Sequence, residues 1–584
     1  MRFRWWLPIL AAFAFSAGLF VHLAVSDAGA GSQVRTAGWW AVTAALHLPY
    51  IVILLFVAGG LVERAGYFRH GRTPEPAGRL PDVHPTVCVQ LPMFNEHAVA
   101  RRTIEAACAL NWPVDRFSVQ VLDDSTDEDT RALVEDVCAE VRRSTGVDCR
   151  VLHREDRQGY KAGALEEGRT QTDAEFLVIF DSDFVPPRDY LLRTIPHFFL
   201  ANGDPDSGLA LVQAQWGHLN HDQSFLTRAQ SLWVDDHHTL QMSWRSAKWR
   251  FVNFTGTAGV WRASAVEAAG GWRAASLVED CELSFRHLFA GYRTKFVKEI
   301  VVPAELPATY TAYKGQQKRW TQGWAQLQRM HLGTLLFRFP TSWLRRMHLA
   351  YHMCITWQWP AWAIWTTLLP FLIYTGHWFG SLGIAVGALL YLLPASLWVL
   401  VSATVASLET KHTYAESLTP STFFGRLGRI VPHTVINAGM LPHQLSSFTE
   451  GLFGPLHSEF ERTPKTAAVT STSAVAGQQA KSGKATDGVK IHWPYALTEA
   501  AYVGIQLAWA VLFAAHGLVL PALGAGFLAA CVVYVGFFYG DHAGKVCFVV
   551  DRSRLSFFGQ RRTSTGTRRP ARPLVGHRVT HDTN

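Results

Sequence analysis

The chain has 584 residues, 49% hydrophobic and 17% charged, with a formal net charge of +8. That length exceeds one compact domain, and the composition fits a soluble domain joined to bilayer-spanning helices. The positive charge gives no ground for a nucleic-acid partner, because the basic residues gather beside hydrophobic segments, where anionic lipid and membrane orientation account for them.

Two apolar stretches open the chain, Trp5–Val25 and Gly38–Val62. Each is long enough to cross a hydrocarbon core of about 30 Å as a helix. The length of the first and the prompt arrival of the second predict an uncleaved anchor, although Arg2 and Arg4 precede it as in an export signal. Further spans are predicted at Ala350–Tyr374, Leu382–Ala406, Glu499–Leu518 and Leu520–Tyr539, with Pro360, Pro370 and Pro394 at kinks or near helix ends. Basic residues such as Arg64, Arg69, Arg345, Lys411, Arg426 and Arg552 flank these spans on one side. By the positive-inside rule they put both ends and the intervening domain in the cytoplasm, with the protein integral to the plasma (inner) membrane. The segment Ile430–Phe453 is apolar but interrupted by Pro432, His433, Asn437, Pro442, His443 and Gln444, and an even span count makes it an interfacial helix. The organisation expected is therefore two N-terminal spans (1–66), a cytoplasmic domain (85–339), two spans (340–410), an interfacial helix with a loop (420–465), a flexible linker (466–490), two spans (497–540) and a basic disordered tail (541–584). Of the eight Cys none forms a C-x-x-C pair, which predicts buried thiols without disulfides or zinc.

Within 85–339 short apolar runs alternate with helical stretches. Thr86–Leu91, Val119–Leu122, Arg150–Leu152 and Phe176–Phe180 read as strands. The pattern predicts an α/β domain with a mostly parallel sheet covered by helices on both faces, inserted in a multi-span α-helical membrane domain. Ligands of such sheets bind beyond the C-terminal strand ends. Asp123-Asp124 follows the second of these strands and Asp181-Ser182-Asp183 the fourth. The first pair suits either a turn and helix cap or a carboxylate for a nucleotide's base or ribose. The second pair can share one hard divalent cation, Mg2+ or Mn2+, with diphosphate oxygens. Glu279-Asp280 opens an amphipathic helix, either as acidity favouring the helix dipole or as a general base. Gln316-x-x-Arg319-Trp320 lies on a further helix, either as an interfacial anchor or as an arginine for diphosphate beside a tryptophan face for a sugar ring.

With these residues placed, the chain resembles membrane-integrated family-2 glycosyltransferases of the cellulose synthase superfamily, and is especially similar to the cellulose synthase-like A and C synthases of mannan and glucan backbones. Val89–Glu96, Gln120–Thr126 and Gly159–Leu165 match that family's first strand and nucleotide loop, second strand, and lysine segment. Asn253–Arg262 resembles its acceptor-side loop, with an inserted-looking Phe254-Thr255. Val278-Glu279-Asp280 stands where the family has Thr-Glu-Asp, and Phe460–Lys465 resembles its gating loop, with Arg462 in place of Val. The resemblance implies a GT-A-like fold, donor binding by Glu96, Asp124, Lys161, Thr463 and Lys465, metal binding by Asp181 and Asp183, and Asp280 as base. Gln316, Arg319 and Trp320 would hold diphosphate and the acceptor end. The implied reaction is processive, inverting transfer of a hexose from UDP-glucose or GDP-mannose to a β-linked glycan exported through the membrane. Transfer of one sugar to a lipid is the alternative, and a transporter or receptor with a nucleotide-sensing domain has no use for a metal pair plus a base. No motif for cyclic-di-GMP binding stands after the last span.

Overall fold

The computed structural model describes residues 37–378, 391, 393–414, 418–456 and 493–537. These all belong to one compact unit. The predicted span Trp5–Val25, the loop Phe460–Lys465 with Thr463 and Lys465, the linker 466–490 and the tail beyond Arg561 lie outside the described residues.

Seven strands form one sheet: β1 (Val87–Met93), β2 (Phe117–Asp123), β3 (Asp148–His153), β4 (Phe176–Ile179), β5 (Leu209–His218), β6 (Gly259–Arg262) and β7 (Arg293–Ala304). Their order is β3-β2-β1-β4-β6-β5-β7. All neighbours run parallel except β6, which is antiparallel to both β4 and β5. The expectation of a mostly parallel sheet is met. The four strands read from sequence are β1 to β4, and the structure adds three more.

The first strands are apolar without interruption because both faces are covered. Val87, Val89 and Leu91 point into one core with Phe176 and Val178, against Ala100 and Ile104 of α2 (His97–Cys108) and Val134 and Val137 of α3 (Glu128–Thr145). Cys88, Leu177 and Ile179 point the other way, against Ala162 and Leu165 of α4 (Tyr160–Thr170). That alternation pins the register, since a one-residue slip would swap every side chain between the two cores. Among the described residues Cys88, Cys108, Cys138, Cys149, Cys281 and Cys531 are buried, and Cys354 is half-buried.

Among the described residues three helices are long and apolar enough to cross a membrane: Leu48–Gly71, which contains α1 (Leu48–Gly66), and the helices Trp493–Ala515 and Val519–Gly536. The predicted span Ala350–Tyr374 breaks into a helix Trp343–Met353, a short 3-10 turn and a helix Gln358–Tyr374 with Pro370 inside it. The predicted Leu382–Ala406 is described from Leu393 onward, as a helix to Glu409. Ile430–Phe453 is one helix, continuous through Pro442.

The remaining helices that frame the site are α5 (Phe225–Asp235), α6 (Glu279–Phe289), α7 (Tyr310–Phe337), α8 (Gln358–Tyr374), α9 (Leu393–Glu409), α10 (Ile430–Phe453), α11 (Trp493–Ala515) and α12 (Val519–Phe537). Helix α7 runs beside α10, which packs in turn on α11 and α12, so the soluble sheet and the apolar helices meet along α7 and α10.

Candidate active site

The parallel strands deliver their C-terminal ends to one edge of the sheet. From β1 comes Glu96, from β2 Asp124, from β4 Asp181 and Asp183, and from β5 Trp216 and His218. Strand β6 runs the other way, so the loop before it, with Gly256 and Thr257, reaches the same edge. These ends line one cavity of about 420 Å³, together with Lys161 of α4, Glu279 and Asp280 of α6, and Gln316, Arg319 and Trp320 of α7 (Thr257 excepted). The structure thus gathers every described residue that the sequence nominated for the site.

The Asp123-Asp124 pair divides its labour. Asp123 is buried, and its Oδ1 accepts from the backbone N–H of Ser125 at 3.1 Å, as a turn carboxylate does. Asp124 faces the cavity. Arg154 holds it by both oxygens, its Nε donating to Oδ1 at 2.8 Å, and the same guanidinium donates to the carbonyls of Gln158 and Tyr160 at 3.0 and 2.9 Å. Arg154 therefore ties the end of β2 to the loop that leads to Lys161.

Asn95 makes a similar tie. Its backbone N–H donates to Ser125 Oγ at 2.8 Å, and its side-chain oxygen accepts from the N–H of Thr126 and Asp127 at 2.8 and 3.1 Å. Asn95, Tyr160 and Ala258 have φ of 50°, 49° and 55°. Left-handed backbone costs an ordinary residue about 1–3 kcal/mol, and such strain is commonest at functional sites. Here Asn95 and Ala258 lie in loops and Tyr160 opens α4, all near the cavity edge.

At the centre Lys161 Nζ donates to Asp181 Oδ1 at 2.5 Å and to the carbonyl of Gly256 at 2.8 Å. Burial works against its charge, but Asp181, Glu279 and Asp280 hold its pKa above the ordinary value. Gly256, at φ 84°, lets the backbone pass close: a Cβ there would lie 3.1 Å from Asp280 Oδ2 and 3.6 Å from Lys161 Nζ. Asp280 Oδ1 accepts from the backbone N–H of Cys281 at 2.7 Å, at the start of α6. Burial pushes Asp280 up to about 6, against the pull of the Cys281 N–H and Lys161. Burial, with the charge of Asp280 beside it, pushes Glu279 up to about 7. The two carboxyls titrate as a pair near neutrality, where a base is most effective.

Among the described residues no group of three or more His, Cys, Asp or Glu gathers to hold a metal. Asp181 and Asp183 present two hard oxygen donors on one loop, which suits a divalent cation that takes its other ligands from diphosphate and water. Lys161 already stands on Asp181, so a cation there shares that carboxylate with an ammonium.

Trp320 stacks on Trp233 of α5, with ring centroids 5.8 Å apart and 29° between planes. Sequence reasoning passed over Trp233, Arg154 and Arg157, and included Thr257 only as part of the loop Asn253–Arg262. Thr257 Oγ1 accepts from the backbone N–H of Asp181 at 2.9 Å, and Arg157 lies over the ring of Phe94, 3.4 Å from its centroid. The signal for the two arginines was their place before Gly159-Tyr160-Lys161, on the loop that leaves β3. Trp233 carried no local signal.

The cavity continues past Trp320 to the apolar helices. Ile53, Phe56 and Gly60 of α1, Trp359 and Trp362 of α8, and Trp398 of α9 line the same space.

A mostly parallel sheet with acidic residues at its strand ends and a buried carboxyl of raised pKa beside a lysine has the layout of an α/β enzyme whose ligand binds beyond the strand ends. Sequence comparison narrows this. The glycosyl transferase family 2 profile matches residues 88–224, and that of glycosyl transferase family group 2 matches residues 176–401. Probable glucomannan 4-beta-mannosyltransferase 4 of Oryza sativa subsp. japonica is 38% identical over 376 residues, 60% of this chain and 67% of that protein. Glucomannan 4-beta-mannosyltransferase 1 of the same plant is 42% identical over 271 residues, 46% of this chain and 51% of that one. The chain spans about half the length of most of the relatives it matches. The chain belongs to glycosyltransferase family 2, within the cellulose synthase superfamily. A solved mannosyltransferase, PcManGT from Pyrobaculum calidifontis, in complex with GDP-Man and Mn2+, is 17% identical and covers 68% of this chain and 98% of its own, with a TM-score of 0.41, too low to carry weight.

Proposed function

We propose that this chain is a membrane-integral β-glycan synthase, which transfers a hexose with inversion from a nucleotide sugar to the end of a growing chain and passes the product outward between its helices. GDP-mannose is the preferred donor in this reading, since the relatives are named as mannosyltransferases. The observation that carries it is the continuity of one cavity from Asp280 to the tryptophans of α8 and α9.

Asp280 takes the proton of the acceptor hydroxyl as that oxygen attacks the anomeric carbon. A new carbon–oxygen bond forms, the bond from that carbon to diphosphate breaks, and the bonding pair leaves with the nucleoside diphosphate. One displacement needs one base and a stabilised leaving group. Glu96 and Asp124 serve the nucleoside, Lys161 and Arg319 face the diphosphate, and Gln316 and Trp320 hold the acceptor end. A divalent cation held by Asp181 and Asp183 would neutralise charge on the leaving diphosphate. Lys161 keeps Asp181 oriented and lowers the charge density between Asp181, Glu279 and Asp280. In this scheme the catalytic domain lies in the cytoplasm.

The test is incorporation of labelled GDP-mannose and UDP-glucose by membranes holding the full chain, with and without Mg2+ or Mn2+, followed by linkage analysis. The expected product is a β-linked polymer that needs the cation. A single-sugar glycolipid would overturn the polymer reading, and full turnover by Asp280→Asn would overturn the base.

A further inference from the structure

The segment that delivers Asp280 is held from behind by α7. Leu277 and Val278 lead into α6, and the backbone N–H of Leu277 donates to Gln326 Oε1 at 3.0 Å. The other end of that amide, Nε2, donates to the carbonyls of Pro455 and Leu456 at 3.2 and 3.1 Å, just beyond the end of α10. Gln326 is fully buried, and it does not line the cavity. Its partners fix which way round the amide sits, since only the oxygen accepts and only the nitrogen donates. Arg329, three residues further along α7, donates to the carbonyls of Gly451 and Gly454 at 3.2 and 2.7 Å and so closes the end of α10.

Arg319, Gly323 and Gln326 are spaced by four and three residues, which puts them on one face of α7. Arg319 opens on the cavity. Gly323 lets α7 approach the base's segment closely: a Cβ there would lie 2.6 Å from Val278 Cγ1 and 3.1 Å from its backbone nitrogen. Gln326 then bonds the residue before Val278. One helix thus carries the cationic clamp and grips the chain just ahead of Asp280, with about 10 Å of helix axis between Arg319 and Gln326. The backbone of Leu277 and Val278 sets where α6 begins, and with it the place of Asp280 relative to Arg319. Asp280 owes its raised pKa chiefly to burial, so a looser approach that admits water returns it toward the ordinary carboxyl value.

We propose that Gln326 is a positioning residue for Asp280, which fixes the entry to α6 against the helix that carries Arg319 and refers both to the end of α10. It rests on the synthase reading above, with Asp280 as the base. The test is turnover of labelled GDP-mannose, or of UDP-glucose where membranes incorporate that instead, by the purified full chain in detergent from about pH 5 to 8. Gln326→Met keeps the length and loses the amide. Its kcat should fall about tenfold or more, as misplacing a reacting group does, with the donor KM within about twofold. The acid limb of kcat/KM should move down by about half a pH unit or more as water reaches Asp280. Gln326→Glu keeps the oxygen that Leu277 bonds, and its buried carboxyl, held protonated, still donates to a carbonyl, so its limb should match the wild type. Gly323→Ala pushes on Val278 with the amide intact and should shift the limb by a similar amount. GDP binding by each sample reports folding. If Gln326→Met binds no GDP, Gly323→Ala and Gln326→Glu decide. An unmoved limb in Gln326→Met or in Gly323→Ala, equal shifts in Gln326→Met and Gln326→Glu, or a loss carried by the donor KM alone overturns the positioning role. A wild-type chain that transfers no sugar from any donor overturns the synthase reading instead, and full turnover by Asp280→Asn overturns the base.

Discussion

Asp280 is a carboxylate that the fold keeps partly protonated near neutral pH. Its pKa is raised, so the reactive anion is lost as pH falls through about 6. Sugar transfer, read as kcat/KM, should therefore fall about tenfold per pH unit on the acid side and level off above about 7. Asp280→Asn should lower kcat by about 10²–10⁴-fold and abolish that acid limb. Asp124 differs, because Arg154 grips it with a planar fork that lysine does not reproduce. Arg154→Lys should raise the donor KM about tenfold or more, since hydrogen bonds to charged groups are worth about 1.5–3 kcal/mol. Steady-state kinetics with varied donor measures this, and a change confined to kcat would contradict it. The Asp-Asp and Asp-x-Asp positions were legible in the sequence because each follows a short apolar run. The separate fates of Asp123 and Asp124 were not, since only the folded loops bring Arg154 to one of them.

Helix α7 uses two faces. Gln316, Arg319 and Trp320 face the cavity. Lys314 lies away from it, where its Nζ meets Glu499 of α11 at 2.5 Å, while Gln317 lines the cavity too and accepts from Gln444 of α10 at 3.1 Å. Residues three and seven apart share a helical face, so one helix can carry both sets. Lys314 and Glu499 are both buried. Removing Lys314 leaves the buried Glu499 carboxylate with His443, 3.2 Å away, as its remaining side-chain partner, and breaking such a buried pair costs about 3–5 kcal/mol. Lys314→Met should thus lower stability by that amount, and the double variant with Glu499→Leu should recover most of it, as followed by thermal unfolding in detergent. The sequence marked α7 through its Gln/Arg/Trp group. It also marked Ile430–Phe453 as a helix, with the bounds the structure gives. The partners across α10 and α11 are more than 120 residues distant and left no local trace.

At the scale of the molecule, one cavity links soluble sheet and apolar helices. Gly60 stands where helix α1 borders it, beside Trp398. Gly60→Leu should fill that passage. Polymer length, measured by sizing labelled product, should fall several-fold, while hydrolysis of the donor, which needs only the Asp280 end, continues. An unchanged product length would place the glycan elsewhere.

By itself the sequence determined the α/β class, the first four strands, three of the apolar helices and a set of residues that gather at one cavity. Those features are written in local periodicity and in short motifs at strand ends, which neighbouring residues suffice to specify. Strands β5 to β7 escaped it. Their short apolar runs are interrupted by polar residues or, in β6, span only four residues, and partners 40 to 90 residues away decide their pairing. Only the tertiary structure decided that Arg64 turns inward to Asp236, that Asp123 and Asp124 differ, and that the site opens toward tryptophans of other helices. Each depends on contacts between distant segments, which no short window of sequence contains.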